Sequence, residues 1–72
     1  MEISWERLGA NIRAARERKG MSAGELAARA GTTEDYVIKA EDGRKQITLL
    51  MALSFCDALG IDPDELLAGV NA

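Results

Sequence analysis

Histidine is absent from these 72 residues, and cysteine occurs once, at Cys56. Without histidine there is no His-based acid–base or triad chemistry, and no zinc site of Cys and His. A single cysteine rules out an internal disulfide. Aromatic residues are three: Trp5, Tyr36 and Phe55. Proline occurs once, at Pro63. No apolar run approaches the roughly 20 residues that span a bilayer. The opening stretch MEISWERL has neither the basic region nor the apolar core of a signal peptide. These absences leave no membrane contact, no cofactor and no enzyme in the expectation, and a cytoplasmic location by default.

What the chain does contain is an ordinary globular balance, 47% hydrophobic and 29% charged. Its length suits one small domain, residues 1–72, of modest stability. The net charge of −3 argues mildly against nucleic acid, because phosphate neutralisation favours basic proteins. The distribution is less even than the total. Eight of the nine basic residues, and six of the twelve acidic ones, lie between Arg13 and Ile47. That window carries +2 and the remainder −5.

Capping signals and apolar spacing divide the chain into five helices with no alternating strand pattern. Ser4 caps a first helix over about 5–18, with Trp5, Leu8, Ile12 and Ala15 facing inward. Ser22 and Glu25 form a capping box for a helix over 23–30, whose stripe is Leu26, Ala27 and Ala30. Gly31 turns the chain, and Thr33 caps a third helix over 34–41. Thr48 caps a fourth, over 49–59, with an expected core face of Leu49, Ala52, Leu53, Cys56 and Leu59. Asp62-Pro63-Asp64-Glu65 starts a fifth, over 63–68, before Gly69 and a frayed tail. Helices two and three with a glycine turn between them spell a helix-turn-helix, whose second helix enters the major groove.

The phrase IRAARERKGMSAGELAARAGTTEDYVIKAEDGRK, followed by LGIDPDELL, resembles the lambda-repressor-like, or Cro/C1-type, helix-turn-helix domains. The resemblance runs from about Leu8 to Gly69. Its most specific parts are Gly20-Met21-Ser22, Glu25-Leu26-Ala27, Ala30-Gly31, Glu41 with Gly43, and Leu59-Gly60. It implies an all-α, compact five-helix bundle and a sequence-specific transcriptional regulator, a repressor of phage or mobile-element type. Double-stranded DNA is the implied partner. Arg16 and Glu41 match a structural salt bridge between helices one and three. Thr33, Glu34, Asp35, Ile38 and Lys39 match the outward face of the recognition helix. Arg44 and Lys45 match a phosphate-contacting loop, and Arg13 a basic residue near the DNA backbone. Leu66, Leu67 and Val70 match a homodimer contact, or else seal the domain's own core.

Several positions depart from the family pattern. Ala23 stands where a phosphate-gripping Gln is common, and Glu34-Asp35 where base-reading polar or basic residues are usual. The two carboxylates suit the helix dipole, accept a hydrogen bond from cytosine N4, or repel phosphate. Ile47, Leu50 and Met51 are apolar where proline or polar residues are common, and Ala40 is smaller than the usual Ile or Leu. Ala23, the acidic pair and the apolar set Ile38, Ile47 and Leu50 support an alternative expectation. In it the domain is a protein-interaction module, anti-repressor or antitoxin-like, with weak DNA binding or none.

Overall fold

Each helix starts where a short polar side chain can accept a hydrogen bond from a backbone N–H left unpaired by the first turn. The computed structural model describes residues 2–71, and its helices are α1 (Trp5–Arg18), α2 (Ala23–Ala30), α3 (Glu34–Glu41), α4 (Leu49–Leu59) and α5 (Pro63–Leu66). Arg7 N–H donates to Ser4 Oγ at 3.1 Å, Tyr36 N–H to Thr33 Oγ1 at 3.1 Å, and Met51 N–H to Thr48 Oγ1 at 3.0 Å. Glu65 N–H donates to Asp62 Oδ1 at 2.9 Å, and Pro63 follows that cap at the first helical position.

At α2 the bonding is reciprocal. Glu25 N–H donates to Ser22 Oγ at 3.0 Å, and Ser22 N–H donates to Glu25 Oε1 at 2.9 Å. Those bonds from Ser22 hold the Glu25 carboxyl below its ordinary value. A carboxyl lowered on folding stabilises the fold above its unfolded pKa, and that contribution fades as pH falls through the folded one. Glu25→Gln is therefore expected to lose stability at neutral pH and to show a flatter acid limb below the ordinary glutamate range. Thermal melts of the two proteins between pH 7 and 3 check this; parallel acid limbs would contradict it.

The core gathers the inward stripes of all five helices: Leu8, Ile12 and Ala15 from α1, Leu26, Ala27 and Ala30 from α2, Val37 and Ala40 from α3. From α4 come Phe55, Cys56 and Leu59, and from the C-terminal segment Leu66 and Val70. Trp5 is partly buried and packs against this cluster. Burial pushes the Cys56 thiol up, aided by Asp62 and Glu65 nearby, so it sits in the core as a neutral group.

The structure corrects three expectations. First, the core face of α4 is Phe55, Cys56 and Leu59, while Leu49 and Leu53 are exposed, Leu49 at 75%. The α4 sequence LLMALSFCDAL is apolar nearly all round, so spacing cannot choose its inner face. The fully buried Phe55, with its ring centroid 6.2 Å from that of Tyr36, marks the side that faces inward.

Second, α5 ends at Leu66 rather than 68. Asn11 Nδ2 donates to the carbonyls of both Leu66 and Ala68 at 2.8 Å, which satisfies the helix end from α1. Third, the tail is not frayed at Val70. That side chain is buried, Ser4 N–H donates to Val70 C=O at 2.8 Å, and Ile3 forms an antiparallel bridge with Asn71. The two ends of the described chain are thereby tied together.

Candidate nucleic-acid interface

Three observations fix how α3 is presented. Gly31, at φ +75°, takes the left-handed conformation that lets the chain leave α2 and reach the Thr33 cap within three residues. Val37 and Ala40 anchor the inner face of α3 in the core. The third is a close approach of α1. A methyl group built on Gly9 lies only 2.3 Å from the Ala40 carbonyl oxygen and 2.5 Å from that of Glu41. Nothing larger than a hydrogen fits there, and the small Ala40 belongs to the same contact. Gly9 carried no signal in the apolar spacing of α1, which is why sequence reasoning passes over it.

The same crossing holds the Arg16–Glu41 pair. Arg16 Nε donates to Glu41 Oε2 at 2.6 Å and Nη2 donates to Oε1 at 3.0 Å, a two-pronged contact. A third bond runs from Nη1 to the Met21 carbonyl at 2.9 Å. The side chains are only 14% and 7% exposed. Hydrogen bonding to Glu41 raises the Arg16 pKa further. One guanidinium thus ties together α1, the loop before α2 and the end of α3.

With its inner face so anchored, α3 turns Thr33, Glu34, Asp35 and Ile38 to solvent, with Lys39 half-exposed beside them. Glu34 and Asp35 are used differently. A methyl group built on Gly24 lies 3.6 Å from a Glu34 carboxylate oxygen, so this carboxylate sits beside the first turn of α2. That is where negative charge favours a helix dipole. Asp35 instead reaches along α3, with Oδ2 3.1 Å from Lys39 Nζ one turn later.

The basic residues carry local partners. Arg13 Nε is 3.4 Å from Glu17 Oε2, and Arg44 Nη2 is 2.9 Å from Asp42 Oδ2. Lys45 Nζ lies 4.9 Å from the centroid of the Tyr36 ring. These are exposed pairs, each worth at most about 1 kcal/mol, so an incoming phosphate can displace them at little cost.

Leu66, Leu67 and Val70 separate in the structure. Leu66 and Val70 lie in the domain's own core, which removes them as dimer contacts; Leu67 stays 49% exposed. Leu67 borders an open apolar groove of about 420 Å³, whose other walls include Ile3, Trp5, Leu49 and Ala52. Leu50 and Leu53 are exposed on α4 as well. Ile47, grouped above with Ile38 and Leu50 as a surface patch, is instead packed partly against the core. Among the described residues no helix is long and apolar enough to cross a membrane.

A family described as "Helix-turn-helix domain" matches residues 7–68. The chain belongs to this family. Within it, the solved folds it matches are of the lambda-repressor-like, Cro/C1 type. The chain is 32% identical over 59 residues to an uncharacterised helix-turn-helix-type transcriptional regulator, y4dJ, of Sinorhizobium fredii, covering 82% of this chain and 77% of that one. It is similar in structure to the restriction-modification controller protein C.AhdI of Aeromonas hydrophila. That similarity has TM-score 0.84 and 34% identity over 86% of this chain and 94% of that one. It is also similar to the P22 c2 repressor, solved in complex with a synthetic operator. There the TM-score is 0.79 and the identity 26%, over 86% and 94% of the two chains. The α2–turn–α3 unit of this helix-turn-helix domain is therefore held in the frame these regulators share.

Proposed function

We propose that this domain is a sequence-specific DNA-binding transcriptional regulator that lays α3 in the major groove. The observation that carries the reading is the presentation of α3. Its inner side is locked by Gly9, Val37, Ala40 and the Arg16–Glu41 pair, and its outer side is free, in a frame shared with an operator-bound repressor. Asp35, Ile38 and Lys39 face base edges in this reading, Ile38 suiting a thymine methyl. Arg13, Arg44 and Lys45 hold phosphates, which positions the helix without reading sequence. Thr33 and Glu34 line the entry of α3 into the groove. No covalent chemistry enters, and a cytoplasmic location goes with the role.

A second copy of the chain completes the assembly, its contact formed by Leu67 with the exposed leucines at the start of α4. Leu49 and Leu50 are 75% and 76% exposed, a large apolar surface for a domain of this size. A two-fold dimer places its recognition helices about 34 Å apart and reads a palindrome.

The test is enrichment from a random duplex library at low salt, followed by affinity measurements across a salt series. One enriched motif with two inverted half-sites about one turn apart is expected. For three phosphates per protomer, the slope of log affinity against log salt should be about −2.7 per protomer, at about −0.9 each. A library that returns no preferred sequence at micromolar protein removes the reading; a motif with a single half-site removes the dimer alone.

A further inference from the structure

On the outer surface of α3 a carboxylate and an ammonium stand side by side: Asp35 Oδ2 and Lys39 Nζ, 3.1 Å apart, with side chains 72% and 45% exposed. Exposed pairs of this kind contribute little to folding, so this one costs little to redeploy. In the major groove a G·C pair presents guanine N7 and O6 as acceptors beside the cytosine N4 amino group as donor. Watson–Crick pairing sets O6 and N4 at an ordinary N–H···O distance of about 2.9 Å. An acceptor and a donor 3.1 Å apart on the protein therefore meet a donor and an acceptor at nearly the same spacing on the base pair. We infer that Asp35 and Lys39 jointly read one G·C base pair, the carboxylate accepting from cytosine N4 and the ammonium donating to guanine O6 and N7. The inference rests on the DNA-binding reading above and names the base pair it selects.

Three features make the assignment specific. Glu34 lies beside Gly24 at the start of α2, so of the two adjacent carboxylates only Asp35 is paired along the outer surface of α3. The pair has a direction, acid toward the helix start and amine one turn on, so it distinguishes G·C from C·G. An A·T pair also sets a donor beside an acceptor, but thymine has a methyl group beside O4 where guanine offers N7 beside O6. The ammonium then loses its second acceptor. The carboxylate also changes from a liability into a reader. Facing phosphate it repels, whereas facing the cytosine amino group it rejects any pair without a donor at that point.

The experiment uses the full chain and duplexes carrying each of the four base pairs at every position of the enriched motif, with fluorescence anisotropy as the readout. The wild-type protein is expected to favour one orientation of G·C at one position per half-site by about tenfold or more. Asp35→Ala and Lys39→Ala should each collapse the preference at that position and leave the others intact, whereas Asp35→Asn, whose amide oxygen still accepts from cytosine N4, should weaken it less. Combining Asp35→Ala with Lys39→Ala should cost little more than either alone, because each single change already breaks the joint contact. Circular dichroism melts verify that each variant is folded, and Asp35→Asn keeps a polar group in the first turn.

If Asp35→Ala tightens binding to all duplexes alike and keeps the G·C preference, Asp35 is only a repelling charge and the inference is wrong. A wild-type motif that neither residue alters removes the pair's role while leaving DNA binding standing. A library with no enriched motif removes both.

Discussion

Glu41→Ala is expected to destabilise the domain by about 3–5 kcal/mol, the cost of leaving a buried charge without its partner. The charge left behind is Arg16, which keeps only its bond to the Met21 carbonyl at 2.9 Å. A chain of this length has a total stability of about 4–11 kcal/mol at 0.05–0.15 kcal/mol per residue, so the loss is a large share of it. At roughly 4–8 °C per kcal/mol for a small domain, the melting temperature should fall by at least about 12 °C. Arg16→Met with Glu41→Leu is the informative companion, since removing both charges relieves the desolvation that burying them requires. That double variant should recover most of the stability. Because the pair ties α3 to α1, it should bind its operator less tightly even when folded. Urea unfolding of the three proteins checks the first part, and operator affinity the second. A single Glu41→Ala variant as stable as the wild type would show that water reaches Arg16 freely.

Gly9→Ala is expected to cost about 1–3 kcal/mol or more, at the upper end of what one added methyl group does in a core. The obstacle is backbone, the carbonyl oxygens of Ala40 and Glu41, so no side chain can swing aside to admit the new carbon. Alanine is otherwise the better helix former, by about 1 kcal/mol over glycine. An exposed helical site would therefore gain from the same change, and the sign of the effect distinguishes the two situations. To fit the methyl group, α1 and α3 must move apart, which also lengthens the Arg16–Glu41 contact. Gly9→Ala and Glu41→Ala should accordingly be less than additive when combined. Equilibrium unfolding of both singles and the double measures this directly. A neutral or stabilising Gly9→Ala would mean that α1 and α3 cross at a greater distance.

Both predictions concern one crossing, and it shows where sequence reasoning runs out. Ser4, Ser22, Thr33, Thr48 and Asp62 announce the helix starts because capping is local. The side chain bonds a backbone N–H three residues on, so the signal and its effect lie together in the sequence. The α2 stripe of Leu26, Ala27 and Ala30 is legible for a similar reason, since apolar spacing on a helix with a polar back names its buried face. On α4 that condition fails. With apolar residues nearly all round, the inner face falls to Phe55, and Leu49 and Leu53 turn outward. Leu66, Leu67 and Val70 fare likewise: Leu66 and Val70 turn into the core and Leu67 outward, in a segment whose carbonyls are bonded by the distant Asn11 and Ser4.

The outer surface of α3 divides in the same way. Its exposed residues are those the sequence points to, but their pairings are not. The same two adjacent letters, Glu34 and Asp35, face different neighbours, one the first turn of α2 and the other Lys39. Sequence by itself determined the helix order, the caps, the turn at Gly31 and the family. Only the tertiary structure decided how near α1 comes to α3, which leucines are left exposed, and which acid stands beside Lys39. The first set depends on bonds between residues three or four apart, which the letters display. The second depends on contacts between helices distant in sequence, such as Gly9 with Ala40 and Asn11 with Leu66, whose closeness exists only once the core has formed.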